Sequence, residues 1–384
     1  MMRELLGRRN QALLHHVEVL LSTIRKSQIP NELEPYRAQV LLVCESLKAS
    51  IDSNQEYLRI EQADILEDVL SNTQQITQIV RLLSSHLSIP IFRASLSDRL
   101  ILAILRWLHE EHHQSRHFPP AFASGRCSIY LFGGLPVYLF PSIEQHGLLY
   151  QPLLFHEFGH LLYQIHQSEM NDLVAGLREE ILDLLMPASQ RNDRFAEEQT
   201  SKRQIIAETW YSWTQEIFCD AVGFKLGGTC FLYAFSSFLS TLAKGDFYRP
   251  PQDLNHSEHP VTWLRVRFLA ERASEEGFES AAEAVRKEWR MIAEAMGVVE
   301  DYHGFYHESL AEVIINTVSD MLIEAAPRTP SQLEMAGGGW NPDSDSPIRL
   351  LNWAWQVHMN DSGRYPQWET EQIGTLLDYS GRNP

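Results

Sequence analysis

Cysteine is scarce in this sequence. Its 384 residues include four cysteines, and no two of them form a C-x-x-C pair. They are Cys44, Cys127, Cys219 and Cys230. Isolated cysteines are typical of proteins that keep unpaired thiols in a reducing compartment. We therefore expect a cytoplasmic protein without a disulfide framework.

Basic charge is also in short supply. The chain has 32 lysines and arginines against 50 aspartates and glutamates, which gives a formal net charge of −18. A phosphate backbone would be repelled by such a chain, and no basic run offsets the repulsion. The charge balance therefore argues against nucleic acid as a partner.

Long apolar segments are missing as well. The N-terminal stretch, MMRELLGRRNQALLHH, lacks the apolar core of about 7–15 residues that a secretory signal needs. The longest uncharged run, residues 226–243, is interrupted by glycine, serine and threonine, which makes it a poor membrane span. We expect no stable insertion into a membrane.

What the sequence does contain is a regular helical pattern. Residues 1–115 are predicted to be helical, and one apolar stripe in this region has alternating spacings of three and four. The stripe comprises Leu66, Val69, Thr73, Ile76, Val80, Leu83 and Leu87. We expect these helices to pack on the rest of the chain, where they would gate substrates or dock a regulatory protein partner.

A short β region follows at residues 127–140, CSIYLFGGLPVYLF, which predicts two strands around Gly133-Gly134. Pro136 predicts that the second strand lies at an edge, because proline donates no backbone hydrogen bond. An extended protein or peptide substrate could pair with an edge strand near 128–140. A purely structural hairpin is the alternative. The sequence therefore predicts a mostly helical α+β fold with a small antiparallel sheet.

The most informative stretch is LLFHEFGHLLYQIH, residues 153–166. It contains an H-E-x-x-H pattern in which His156 and His160 are one helical turn apart and share a helix face. Two imidazoles so placed can bind one zinc ion, and Glu157 can reach a water molecule beside the metal. Burying these polar residues among apolar neighbours is costly unless they are paired or bind a metal.

Two residues compete to be the third ligand. His166 completes the histidine spacing of the metzincin signature, but Tyr163 stands where that signature has glycine. On an unbroken helix six residues turn the chain by about 600°, so His166 would point away from His160. Glycine normally permits the break that brings such a histidine round.

The other candidate is Glu216, which lies in a long helical pattern and forms an E-x-x-x-D pair with Asp220. Glu216 would bind the metal, and Asp220 would accept a hydrogen bond from the other ring nitrogen of a histidine ligand. A solvated pair of like charges is the weaker explanation, since such pairs repel one another. The straight helix favours Glu216 over His166.

Taken together, H-E-x-x-H followed by E-x-x-x-D resembles the gluzincin metallopeptidases. A third element, HSEHPVTWLRVRFL, places His259-Pro260 ahead of Arg265 and resembles the branch that includes heat-shock protease X and the CAAX prenyl protease. The similarity covers about residues 126–270. Those relatives are often embedded in membranes, so their membrane or prenyl-protein substrates are not carried over.

The resemblance implies a zincin-like peptidase domain over residues 116–330. Residues 1–115 would form the helical N-terminal region, and residues 331–384 a linker with a helix that packs on the core. One Zn²⁺ per chain would polarise the scissile carbonyl, and Glu157 would act as the general base. His259 would hydrogen-bond the developing oxyanion, or else cap the helix that Pro260 begins.

The expected activity is zinc-dependent hydrolysis of peptide bonds in an intracellular protein. Two other functions stay open, namely a catalytically silent zinc-fold scaffold and a metal-dependent hydrolase of a non-peptide substrate. Among the remaining histidines, a cluster at a helix end is expected to be solvated: His109, His112, His113 and His117. His303 and His307 have no matching carboxylate motif for a second metal site.

Overall fold

The computed structural model describes residues 1–60, 62, 64–141, 144–185, 196–241 and 249–382. These residues are mostly helical and include a small sheet, so the predicted mostly helical α+β class is confirmed. The sheet has three strands and is mixed, so the prediction that it is antiparallel was wrong. The chain divides into two compact units. The first comprises residues 1–146 with the end of the chain from residue 380, and the second residues 147–379.

These units differ from the boundaries expected from the sequence, which placed a division near residue 115. The strands cluster with the N-terminal helices, and the segment from 331 to 379 clusters with the H-E-x-x-H helix. The division therefore falls just ahead of the H-E-x-x-H helix.

The first unit begins with helices whose apolar stripes face one another. Their bounds are α1 Met2–Lys26, α2 Glu34–Tyr57, α3 Ile65–Leu82, α4 Ile89–Phe92 and α5 Arg99–Glu110. From Val69 to Leu87 the predicted stripe is buried. A buried polar contact fixes the register of the first three helices: the Nδ2 of Asn10 donates to Oγ1 of Thr73, and the Nδ2 of Asn54 donates to Oδ1 of Asn10.

The sheet consists of β1 Ala121–Ser124, β2 Ser128–Phe132 and β3 Leu135–Phe140, in the order β1-β3-β2. The strand that carries Pro136 is therefore central, and the prediction that it lies at an edge was wrong. Pro136 faces Leu131 of β2, whereas the parallel pairing with β1 starts at Val137, so the missing donor does not interrupt that pairing. Of the two strands near 128–140, β2 is the one at an edge, so an extended peptide would have to pair with β2.

Two histidines that were expected to be solvated are buried instead. His109 and His112 each expose 2% of their surface. The Nε2 of His109 lies 2.9 Å from the hydroxyl of Tyr138, and Nδ1 of His112 lies 2.8 Å from the carbonyl oxygen of Leu108. Burial lowers the pKa of His109 to about 3, so this imidazole is neutral. The expectation failed because the contact with β3 is long-range and leaves no local pattern.

The second unit is helical throughout its described parts. Its helices are α6 Leu154–Ile165, α7 Gln167–Leu185, α8 Ala196–Gly227, α9 Thr229–Ser240, α10 Pro251–Leu254, α11 Thr262–Glu275, α12 Glu279–Met296, α13 Ala311–Ala325, α14 Gln332–Ala336, α15 Pro347–Asn360 and α16 Tyr365–Arg382. Within the described residues, no helix is both long enough and apolar enough to cross a membrane. A core cluster rich in aromatic side chains, including Trp210, Trp213, Phe268 and Phe305, supports the middle of α8.

A single side chain from α15 holds the corner between α8 and α9. The Oδ1 atom of Asn352 accepts hydrogen bonds from Cys230 N at 3.0 Å and from Thr229 Oγ1 at 2.8 Å. Its Nδ2 atom donates to the carbonyl oxygen of Gly227 at 3.0 Å. These bonds satisfy backbone groups that both helix ends would leave unpaired. The segment after residue 331 is thus part of the framework that orients α8.

Candidate metal centre

The H-E-x-x-H motif lies within α6, an unbroken helix. His156 and His160 lie one turn apart, with ring centroids separated by 5.0 Å and ring planes at 86°. The neighbouring side chains Phe155, Phe158 and Leu162 are fully buried. This apolar setting fixes the helix and leaves the two imidazoles on its face towards α8.

A glycine between the histidines lets α8 come close. A Cβ atom added to Gly159 would lie 2.8 Å from the Cα atom of Cys219, closer than real Cβ contacts allow. The two helices therefore cross at a distance that only glycine permits. This crossing brings the α8 residues beside Cys219 within reach of both histidines.

Glu216 of α8 faces both imidazoles. Its Oε1 atom lies 3.5 Å from Nε2 of His160, and its Oε2 atom lies 3.5 Å from Nε2 of His156. One ligand atom from each of the three residues lies within 4.8 Å of the others, so together they can hold a metal ion. Of the residues that the structure describes, only these three form such a group.

The competing candidate, His166, lies outside this group. It follows the last residue of α6, and its Nδ1 atom lies 3.5 Å from Oε1 of Glu324 on α13. The helix runs straight past Tyr163, as the sequence indicated. Of the two proposed third ligands, the structure therefore brings only Glu216 to the histidines.

Asp220 and Arg265 support His156 on the side of its ring that faces away from the ligand nitrogen Nε2. The Oδ1 atom of Asp220 lies 2.8 Å from Nδ1 of His156, which is the contact expected from the E-x-x-x-D spacing. The guanidinium of Arg265 donates two hydrogen bonds to Asp220, from Nε at 2.8 Å and from Nη2 at 2.7 Å. This two-point contact holds the carboxylate in the orientation that suits the imidazole.

An aromatic ring from α9 also packs against His156 and Arg265. The ring of Phe235 stacks on His156 with centroids 5.8 Å apart, and the guanidinium carbon of Arg265 lies 4.8 Å from its centroid. Neither Phe235 nor Arg265 can move without disturbing His156. The site is therefore built from α6, α8, α9 and α11.

The charge states of two of the three residues already suit a metal ion. Burial would raise the pKa of Glu216, but the adjacent His156 and Arg265 hold it below its usual range, so Glu216 stays ionised. Burial lowers the pKa of His160 to about 4, which keeps that ring neutral. Metal ligands must be deprotonated, and these two residues meet that condition.

His156 differs. Burial would lower its pKa, but Asp220 and Glu216 outweigh burial and raise it to about 10. A metal ion at Nε2 would therefore have to displace a proton from this ring.

One buried atom would be better satisfied with a cation at the site. Within the described part of the chain, Oε2 of Glu216 accepts no hydrogen bond, although it is buried. Arg265 Nη2 is 3.2 Å away, an ion-pair distance. An unsatisfied carboxylate oxygen in the interior is costly, and a metal ion would satisfy it. Two imidazole nitrogens and one carboxylate oxygen form a donor set typical of a catalytic zinc site.

The other predicted residues lie close by. Glu157 is buried, exposing 4% of its surface, and adjoins His156 in α6. His259 exposes 52% of its side chain, and its Nε2 atom is 3.6 Å from Oε2 of Glu216. Ser257 fixes the loop of His259, because its hydroxyl donates to the carbonyl of His259 and accepts from Nε1 of Trp213.

Sequence reasoning missed two side chains of the site, Phe235 and Gln215. The Nε2 atom of Gln215 lies 3.3 Å from Nδ1 of His160. Its position directly before Glu216 was the only available signal, and spacing alone does not show which way a neighbouring side chain points.

Comparison with known proteins adds nothing to this picture: no family model, no curated protein and no solved structure matches the chain. The function of the protein is therefore inferred from the geometry and chemistry of the site.

Proposed function

We propose that this protein is a zinc metallopeptidase of the gluzincin type with a zincin-like catalytic domain. In this proposal His156, His160 and Glu216 hold one zinc ion, and the substrate is a peptide bond of a cytoplasmic protein. The observation that carries the proposal is the buried His-His-Glu group with its unsatisfied carboxylate oxygen. The four cysteines include no C-x-x-C pair, which agrees with a reducing compartment.

When bound, zinc would supply a Lewis acid that polarises the scissile carbonyl and lowers the pKa of a nearby water. The rest of the chemistry falls to side chains of this chain. Glu157 takes the proton of the attacking water and passes it to the leaving amine. His259, the exposed imidazole beside the ligands, donates a hydrogen bond to the oxyanion that develops on the carbonyl.

The carboxylate of Glu157 is needed for turnover but not for metal binding in this proposal. Glu157→Gln should therefore keep about one zinc per chain, as expected for a three-residue catalytic site, and should lose peptide hydrolysis. Elemental analysis and turnover of a quenched peptide library measure the two properties. Glu169→Gln, the same change at an exposed position of α7, is the matched control and should behave as wild type.

Three outcomes would overturn the proposal. Wild-type protein without zinc, before any exposure to chelator, would remove the metal. Zinc-loaded wild type that cleaves no peptide would indicate a silent scaffold or a hydrolase of another substrate class. A Glu157→Gln variant that cleaves at the wild-type rate would remove the assigned general base.

A further inference from the structure

All four ring nitrogens of the two histidines face side chains of α8. The Nε2 atoms face the two oxygens of Glu216, each at 3.5 Å. On the far side of His156, Nδ1 lies 2.8 Å from a carboxylate oxygen of Asp220. On the far side of His160, Nδ1 lies 3.3 Å from the amide nitrogen of Gln215. One histidine is thus supported by an anion and the other by a neutral amide.

This difference matters because of what each partner can do. An imidazole that binds a metal through Nε2 carries its hydrogen on Nδ1, and that N–H needs an acceptor. A carboxylate such as Asp220 can only accept. The amide of Gln215 both donates and accepts, because a half-turn about its Cγ–Cδ bond exchanges Nε2 for Oε1.

The two orientations of the amide fit two states of the site. With Nε2 towards His160, as in the structure, Gln215 would donate to an Nδ1 that carries no hydrogen, and the ring hydrogen would then lie on Nε2 opposite Glu216. Once a metal ion occupies that side of the ring, the hydrogen must lie on Nδ1, where Oε1 can accept it. Gln215 is partly buried, so it is held near His160.

We propose that Gln215 is a positioning residue of the metal site, which orients His160 by accepting a hydrogen bond from Nδ1 through its amide oxygen when a metal is bound. This inference rests on the metal site proposed above. The amide differs from a carboxylate because it also satisfies the metal-free ring. Gln215 therefore holds His160 in one orientation whether or not a metal is present.

Zinc affinity, measured by competition with a chelator, tests this role without any reference to activity. Gln215→Leu removes both the donor and the acceptor, and should weaken zinc binding by about 10–100-fold, as the loss of a ligand's hydrogen-bond partner does. Gln204→Leu is the matched control, since it makes the same change at an exposed position of the same helix. It should leave zinc affinity unchanged.

Gln215→Glu separates the hydrogen bond from a packing effect. Its carboxylate accepts from Nδ1 as the amide oxygen does, so it should bind zinc at least as tightly as wild type. Nitrogen-15 chemical shifts of His160 should show the hydrogen on Nε2 in metal-free wild type and on Nδ1 after zinc binds. In Gln215→Glu the hydrogen should already lie on Nδ1 before zinc is added.

The outcomes are separable. If Gln215→Leu matches wild type in zinc affinity, or if Gln215→Glu loses as much affinity as Gln215→Leu, Gln215 does not have this role. In both cases the metal site itself would stand. If wild type binds no zinc, the metal site fails and the inference fails with it.

Discussion

Replacing Gly159 by alanine should weaken the metal site without unfolding the protein. The added Cβ would lie 2.8 Å from Cα, 3.0 Å from Cβ and 3.1 Å from Sγ of Cys219. The nearest of these atoms is backbone, so no side-chain rotation relieves the clash. For ordinary contact, which begins at 3.4 Å, α6 and α8 must separate by about 0.6 Å.

That displacement is large for a metal site, where ligand distances hold to within about 0.2 Å. Overpacking of this kind costs about 1–3 kcal/mol. Without metal the helices can move apart and relieve the strain, whereas the loaded site needs Glu216 close to His156 and His160. If the strain falls mainly on the loaded form, zinc affinity should fall by about 5- to 150-fold.

The variant should remain folded, because alanine favours a helix over glycine by about 1 kcal/mol and offsets part of the strain. Chelator competition gives the zinc affinity, and circular dichroism verifies the helix content. Gly176→Ala on α7 is the control, since a Cβ there meets nothing within 4 Å. It should stabilise the protein slightly and leave zinc affinity unchanged. Zinc binding by Gly159→Ala within twofold of wild type would show that the close crossing does not govern the site.

Four further substitutions, one of them with a control, test the arrangement of the second unit. Glu216→Ala should lose zinc while His166→Ala keeps it in the same chelator assay, and the reverse result would replace Glu216 by His166 as the ligand. Asp220→Ala should weaken zinc binding by about 10–100-fold without abolishing it, and an unchanged affinity would show that its contact with His156 does not matter. Asn352→Ala should lower the free energy of unfolding in urea by about 1–3 kcal/mol, because it removes the side-chain acceptor of the buried Cys230 N–H. Asn360→Ala, at the exposed end of the same helix, should change it little, and equal losses for both variants would contradict the corner contact.

The sequence predicts well those parts of the site whose residues are separated by one helical turn. His156 and His160 follow from one helical turn, and Glu216 with Asp220 follows from another. Apolar residues around both motifs indicate that the two helices are buried and pack against other elements of the fold. A buried carboxylate and buried imidazoles need partners that compensate their polarity. The two motifs were therefore expected to lie against each other.

The remaining features depend on contacts that local spacing does not encode. Pro136 predicted an edge strand, but the pairing of β3 with β1 begins one residue later and tolerates the proline. His109 lies in a polar stretch of sequence and is nevertheless buried against Tyr138. Gln215 looks like any other helix surface residue until the crossing of α6 and α8 is known. In each case the decisive partner lies on a distant segment.

Three side chains of the site lie within six consecutive positions of α8: Gln215, Glu216 and Asp220. An insertion or deletion inside this segment should therefore disturb the site more than one outside it. Each residue of a helix adds about 100° of rotation and 1.5 Å of rise. One residue inserted between positions 216 and 220 would turn Asp220 away from His156 while leaving Glu216 in place. An insertion outside these six positions would leave the three side chains on a common face of the helix. Length variation among distant relatives of this chain should therefore be absent from these six positions.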